Sequence, residues 1–221
     1  MSPRRYDMTR KRSIAAETRR RIVDATLKLH GERGIFGTTW ADIAGEADVA
    51  IGTVYRYFPS LDELVPACGE LLMERTGPPR PEDIEAILGD AVGPMSRLKR
   101  VADALFGFYA RAGRYLEADL RERELPAVRE WEEYLRGLVE GFVRGALAGV
   151  PTNPDVVGRL CFLFDVPTLA AMRVRGIEPD EASAIIAGLA GSWLGLEPDP
   201  GVVEKKGDGK RERRKTTTIR S

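Results

Sequence analysis

Apolar residues recur three and four positions apart along nearly the whole of this 221-residue chain, and no stretch sustains the two-residue alternation of a half-buried strand. Such spacing gathers apolar side chains into one stripe of a helix, so the chain reads as all-α. Residues 17–33 predict a first helix with Ile22, Ala25, Thr26 and Leu29 on one face and Gly34 as its stop. Two short helices are predicted at 39–46 and 51–58. A fourth starts at Ser60, which forms with Glu63 the Ser-x-x-Glu pattern of a reciprocal capping box. The stretch 76–81, "TGPPRP", has the composition of a boundary. Beyond it, longer amphipathic helices are predicted at 96–113, 126–147, 154–175 and 179–195. Pro154 and Pro179 stand at first helical positions, and Gly149, Gly176 and Gly195 serve as stops.

The formal net charge of zero hides an uneven distribution. Residues 1–21 hold eight Lys or Arg against two acids, and residues 204–221 hold eight against three, which leaves −11 on the stretch between. An acidic body with basic ends is compatible with a polyanionic partner. Cys68 and Cys161 alone allow neither a disulfide framework nor a four-cysteine metal site within one chain. No run is apolar enough for a membrane span and the arginine-rich start lacks a secretory core, so the expected setting is cytoplasmic, with no membrane partner. One His, two distant Cys, no Gly-rich phosphate loop and no Glu-x-x-His pair leave no catalytic or metal-binding constellation and imply no cofactor. His30 reads as a surface or packing residue of the first helix.

Residues 51–58, "IGTVYRYF", separate into two faces at 100° per residue. Ile51, Val54 and Phe58 share a stripe that is expected to meet a core. Gly52, Thr53, Arg56 and Tyr57 lie opposite, with Tyr55 at the edge. This outer face has no acid, and its hydroxyls and guanidinium can donate to phosphates and base edges. Gly52 costs about 1 kcal/mol of helix stability relative to Ala, which suggests that something approaches the backbone closely there. Thr38 or Thr39 at the start of the preceding helix offers a second anion-ready terminus. Two short helices joined by a tight turn describe a helix-turn-helix.

Residues 38–64, "TTWADIAGEADVAIGTVYRYFPSLDEL", resemble the DNA-binding motif of the TetR family of transcriptional regulators. Thr39, Ile43, Ala44, Ala47, Val49, Gly52, Thr53, Tyr55, Phe58, Ser60 and Leu64 stand at the family spacing, and the likeness covers about residues 16–76. Residues 164–194 more weakly resemble the last two helices of many members. Three positions depart from the pattern. Asp48 replaces the turn Gly, Ala50 the Ser that caps the recognition helix, and Leu61 a phosphate-contacting Lys.

The resemblance implies a basic flexible arm at 1–15, a helix-turn-helix domain at 16–76, a helical effector-binding and dimerisation domain at 77–197, and a basic disordered tail at 198–221. The implied DNA contacts are Thr38, Thr39, Ala50, Gly52, Thr53, Tyr55, Arg56 and Tyr57, within a motif spanning Thr39 to Phe58. Arg4, Arg5, Arg10, Lys11 and Arg12 of the arm are candidates for minor-groove contact. Tyr109, Trp131, Tyr134 and Phe162 are candidates for an effector pocket. Pro66, inside the fourth helix, is a candidate bend that a ligand alters. Small residues at Ala184, Ala187, Gly188, Gly191 and Gly195 suit internal packing or a homodimer through the last two helices. The implied function is a repressor released from a palindromic double-stranded DNA operator by a small-molecule effector. The alternatives are an effector-independent dimeric regulator and a small helical enzyme.

Overall fold

The computed structural model describes the backbone of residues 4–197 and 199, with side chains from residue 9. Among the described residues the regular structure is helical throughout, with ten α-helices. α1 (Arg4–Arg33), α2 (Trp40–Glu46), α3 (Ile51–Tyr57) and α4 (Leu61–Thr76) come first. There follow α5 (Ile84–Leu88), α6 (Pro94–Ala112), α7 (Pro126–Ala146), α8 (Pro154–Leu160), α9 (Val166–Arg173) and α10 (Pro179–Leu194). Short 3-10 turns precede α5, follow α6 and precede α7.

α1 begins at Arg4, so residues 4–15 of the stretch expected as a flexible arm form the first three turns of a helix. The sequence explains this, because residues 4–30 contain neither Gly nor Pro and are rich in Arg, Lys, Ala and Leu. The side chains of Arg10, Lys11 and Arg12 are exposed on it. A second difference lies at 154–175, where one expected helix is two, α8 and α9, joined by a 3-10 turn over Cys161–Phe164. Pro167 is the cause: it has no N–H to donate, and within a continuing helix its ring would meet the carbonyl of Leu163. At the second position of α9 it is tolerated. Pro66, by contrast, is carried inside an unbroken α4.

One apolar core runs through the whole fold. Ile22, Ala25 and Leu29 of α1 meet Ile43 of α2, Val54 of α3 and Leu64 of α4, and the same cluster continues through Leu71 and Leu72 to α6, α7 and α10. α6 is central to the larger half: Leu98, Val101, Leu105, Phe106 and Phe108 are completely buried. α10 lies along α6 and turns Ala182, Ala187, Ala190 and Gly191 inward. A Cβ on Gly191 would fall 1.9 Å from the Met95 sulfur, so the thioether of α6 is seated directly against this glycine. Of the small-residue set, Ala187 and Gly191 thus serve internal packing, whereas Ala184 is exposed. The outer face of α10 instead carries Ile185, Leu189 and Trp193, four apart and exposed, with Phe162 edge-on to Trp193 at 6.1 Å.

The basic tail expected at 198–221 lies outside the described residues, apart from Asp199. That carboxylate accepts from the backbone amides of Met95, at 3.3 Å, and Ser96, at 2.6 Å, and from the Ser96 hydroxyl. It does for α6 what its own N-cap, Gly93, cannot. Asp199→Ala is therefore expected to cost about 1 kcal/mol, read as a lower urea midpoint. Glu197→Ala, which alters an exposed neighbouring acid, should leave that midpoint in place.

Candidate nucleic-acid interface and effector cavity

α2 and α3 have seven residues each, too few to stand alone, and their geometry is set by the turn between them. Asp48 occupies the left-handed region at φ +50°, the only non-glycine to do so among the described residues, as its place at the turn Gly position requires. The Arg21 guanidinium donates to the Ala47 carbonyl, at 2.5 and 3.1 Å, and to the Asp48 carbonyl at 2.7 Å. One side chain of α1 thus holds the turn. Nothing in the helical periodicity singled out Arg21, one of eight basic residues at that end of the chain.

Thr39 caps α2 in a complete capping box. Its hydroxyl accepts from the Asp42 amide at 3.1 Å and donates to the Asp42 carboxylate at 2.6 Å, while its own amide donates to that carboxylate at 3.0 Å. These bonds hold the Asp42 carboxyl below the usual carboxylate range. Thr38 is half-buried and donates to the Gly34 carbonyl at 2.9 Å. Both hydroxyls anticipated at an anion-ready terminus are therefore spent on shaping the loop. At α3 the reverse holds: Ala50 is the N-cap, and no side chain caps the helix. Ser60 is the N-cap of α4 as predicted, but the expected capping box does not form there.

On α3, Val54 and Phe58 are buried, and Gly52, Tyr55 and Arg56 are exposed. Ile51 departs from the sequence reading. It is 46% exposed, because the first residue of this short helix projects beyond the helices that cover Val54. Tyr57 also shifts, being half-buried against the core, and Thr53 is half-buried. The Tyr55 ring lies tilted against Trp40 at 5.0 Å, an orienting partner that helical spacing does not single out. The Arg56 guanidinium lies over the Tyr57 ring at 5.2 Å. A Cβ at Gly52 would meet nothing within 4 Å, and Gly52 is not among the glycines with positive φ. Neither packing nor backbone conformation calls for glycine there. Leu61, where a lysine was anticipated, is half-buried and packs on the core.

A cavity of about 500 Å³ opens between the C-terminal end of α1, α4, the 114–118 turn and the start of α7. Trp131 and Tyr134, stacked at 5.3 Å, line it, as does Pro66. The other two pocket candidates lie elsewhere. Tyr109 is packed among Phe106 and Phe108 inside the core, and Phe162 is on the surface beside Trp193. Aromatic content alone could not separate core rings from cavity rings. At the cavity's edge the two halves of the molecule are tied by Glu122, a buried carboxylate that accepts from the Ile35 amide and, at 3.0 Å, from the Asp119 amide. Beside it the Arg121 guanidinium covers the Phe36 ring at 4.5 Å. His30, half-buried in the cavity wall, is drawn down to a pKa of about 4 by burial.

Residues 22–68 match the family model described as bacterial regulatory proteins, tetR family. The helix-turn-helix segment is thus of the TetR type. The TetR-type segment is 52% identical over 44 residues to the HTH-type transcriptional repressor KstR of Rhodococcus jostii strain RHA1, covering 20% of this chain and 21% of that one. The chain thus spans about a fifth of the length of that curated relative. A longer, weaker match, 25% identical over 162 residues, covers 67% of the chain and 66% of the HTH-type transcriptional regulator HbdR of Aromatoleum sp. strain CIB. The fold is shared with a TetR-like transcriptional regulator from Rhodococcus sp. RHA1, with a TM-score of 0.57 at 20% identity over 81% of this chain and 97% of that one. These relatives are transcriptional regulators by name. Among the described residues, no helix is long and apolar enough to cross a membrane.

Two outcomes follow from the seam between α1 and α7. Glu122→Ala strands the Ile35 amide, and a loss of about 1 to 3 kcal/mol in unfolding free energy is expected by urea denaturation. His30 stays neutral in the folded chain down to about pH 4 but takes up a proton near pH 6.5 when unfolded. The unfolded state therefore binds more protons as pH falls through 6.5, and stability falls with it. Unfolding free energy should decline between pH 7 and 5, and His30→Gln should flatten that slope.

Proposed function

We propose that this chain is a TetR-family regulator, homodimeric and cytoplasmic, that binds a palindromic DNA operator, most simply as a repressor, and is released from it by a small-molecule effector. The observation that carries the DNA reading is the start of α3. An uncapped helix N-terminus, an exposed glycine that the fold does not need, and exposed Tyr55 and Arg56 stand together. A free helix N-terminus presents amides and positive partial charge to phosphate, and a missing Cβ lets the backbone of DNA come close. Arg56 and Tyr55 can then donate to phosphates or base edges, and exposed Ile51 can meet a thymine methyl in the major groove. Thr38, Thr39 and Tyr57 act mainly by shaping and supporting this surface. The exposed Arg10, Lys11 and Arg12 on the helical extension of α1 add a salt-sensitive attraction to the phosphate backbone.

Dimerisation is assigned to the outer face of α10, where Ile185, Leu189 and Trp193 leave an unpartnered apolar stripe. A twofold axis there would set two α3 helices into successive major grooves. The effector is assigned to the cavity walled by Trp131 and Tyr134, since it touches α1 and α4 as well as α7. A ligand that favours a different spacing across this seam moves α4 and, through Glu122 and Ile35, the loop that leads into α2. An effector-independent regulator would need the DNA surface but not the cavity.

Selection from a randomised duplex library tests the reading. Enrichment of a near-palindrome with half-sites about 10 base pairs apart is expected. Failure to enrich any sequence would overturn it. On the selected site, Ala50→Ser should supply the missing cap and add about 1 kcal/mol to stability, and by occupying an amide otherwise open to phosphate it should weaken binding. Leu61→Lys, which removes a packed side chain, should gain less than its added charge alone suggests.

A further inference from the structure

The walls of the cavity are chemically lopsided. Glu70, Glu117, Glu122, Glu130 and Glu132 line it, against Arg114 alone among Lys and Arg. Two of the five carboxylates are committed. Glu122 is held by the Ile35 and Asp119 amides, and Glu132 pairs with Arg123 at 2.9 Å. Glu70, Glu117 and Glu130 form no ion pair among the described residues and are exposed at the mouth. His30 does not redress the balance, since burial keeps it neutral at physiological pH.

Inside the mouth the surface changes character. Leu27, Leu72, Val128 and Leu135 are buried apolar side chains, and the Trp131–Tyr134 stack offers aromatic surface beside them. Carboxylates without partners raise the local concentration of cations and repel anions, and an aromatic face attracts a cation brought within about 6 Å of it. An inorganic cation would gain little from the apolar interior, and a neutral apolar molecule would leave the acidic mouth unused. A bulky organic cation uses both.

We infer that this cavity binds organic cations, with the charge held by Glu70 and Glu130 at the mouth and the apolar body seated against Trp131 and Tyr134. The inference rests on reading the cavity as the effector site, and it specifies the chemical class of what enters. Its volume of about 500 Å³ is enough for a ligand of drug size.

Tetraphenylphosphonium and tetraphenylborate are nearly the same shape and opposite in charge. Isothermal titration of the full chain with each, in the absence of DNA, reads the ligand independently of any operator. The phosphonium should bind at least tenfold more tightly than the borate. Glu70→Gln combined with Glu130→Gln should weaken the phosphonium about tenfold while leaving the thermal midpoint unchanged. Gly69→Leu, which adds a side chain to the α4 wall, should abolish binding. Equal or tighter binding of the borate, or phosphonium binding unaffected by the two glutamine substitutions or by Gly69→Leu, would overturn the assignment. Failure of DNA selection with the cation preference intact would remove the regulator reading alone, and the converse result would remove only the cation.

Discussion

The burial of α4 between α1 and the larger helical half is the constraint on which the structure depends. Seven-residue helices are marginal in water, so α2 and α3 exist because Ile43, Val54 and Phe58 are covered by a core that α1 and α4 complete. α4 contributes Leu64 to that core and Leu71 and Leu72 to its continuation toward α6 and α7. The boundary composition at 76–81 therefore marks a change of direction in the chain and no break in packing.

Around this shared helix the polar contacts divide into two kinds. Arg21 on the turn, Thr39 with Asp42 at the start of α2, and Asp199 on the start of α6 satisfy backbone groups and fix geometry. Glu122 joins the two halves beside a cavity that both of them line. Thr39 closes the start of α2, whereas neither Ala50 nor Ser60 caps its helix, and Ala50 leaves α3 open toward solvent. An open terminus is a cost to the isolated chain and a gain only if a partner supplies the missing charge.

Much of this was legible in the residues. Helical spacing alone predicts α1 to α4, α6, α7 and α10, and the Pro and Gly punctuation places several of their ends correctly. The motif at 38–64 carries the resemblance to the TetR family, and the family model matches over residues 22–68. What sequence spacing missed has physical reasons. A helical wheel treats all turns of a helix alike, so Ile51, at the end that protrudes, was assigned to the core. Capping patterns describe an opportunity that Thr39 takes and Ser60 does not. The arm at 1–15 reads as flexible from its charge, although residues 4–15 contain neither Gly nor Pro. Contacts distant in sequence, such as Arg21 with Ala47, Ile35 with Glu122 and Ser96 with Asp199, leave no periodic trace. The cavity has the same origin: Trp131 and Tyr134 line it, and Tyr109 does not, because of how α7 and α6 pack.

At the centre of the account is the claim that Gly52 serves a partner and not the fold. Gly52→Ala separates these directly, because it adds one methyl group to open space on a helix that gains from alanine. Measured on the same preparation by thermal denaturation and by fluorescence anisotropy on selected DNA, the variant should be more stable by about 0.5 to 1 kcal/mol and should bind DNA at least tenfold more weakly. A variant that gains the same stability and binds DNA with unchanged affinity would contradict the placement of DNA against the start of α3.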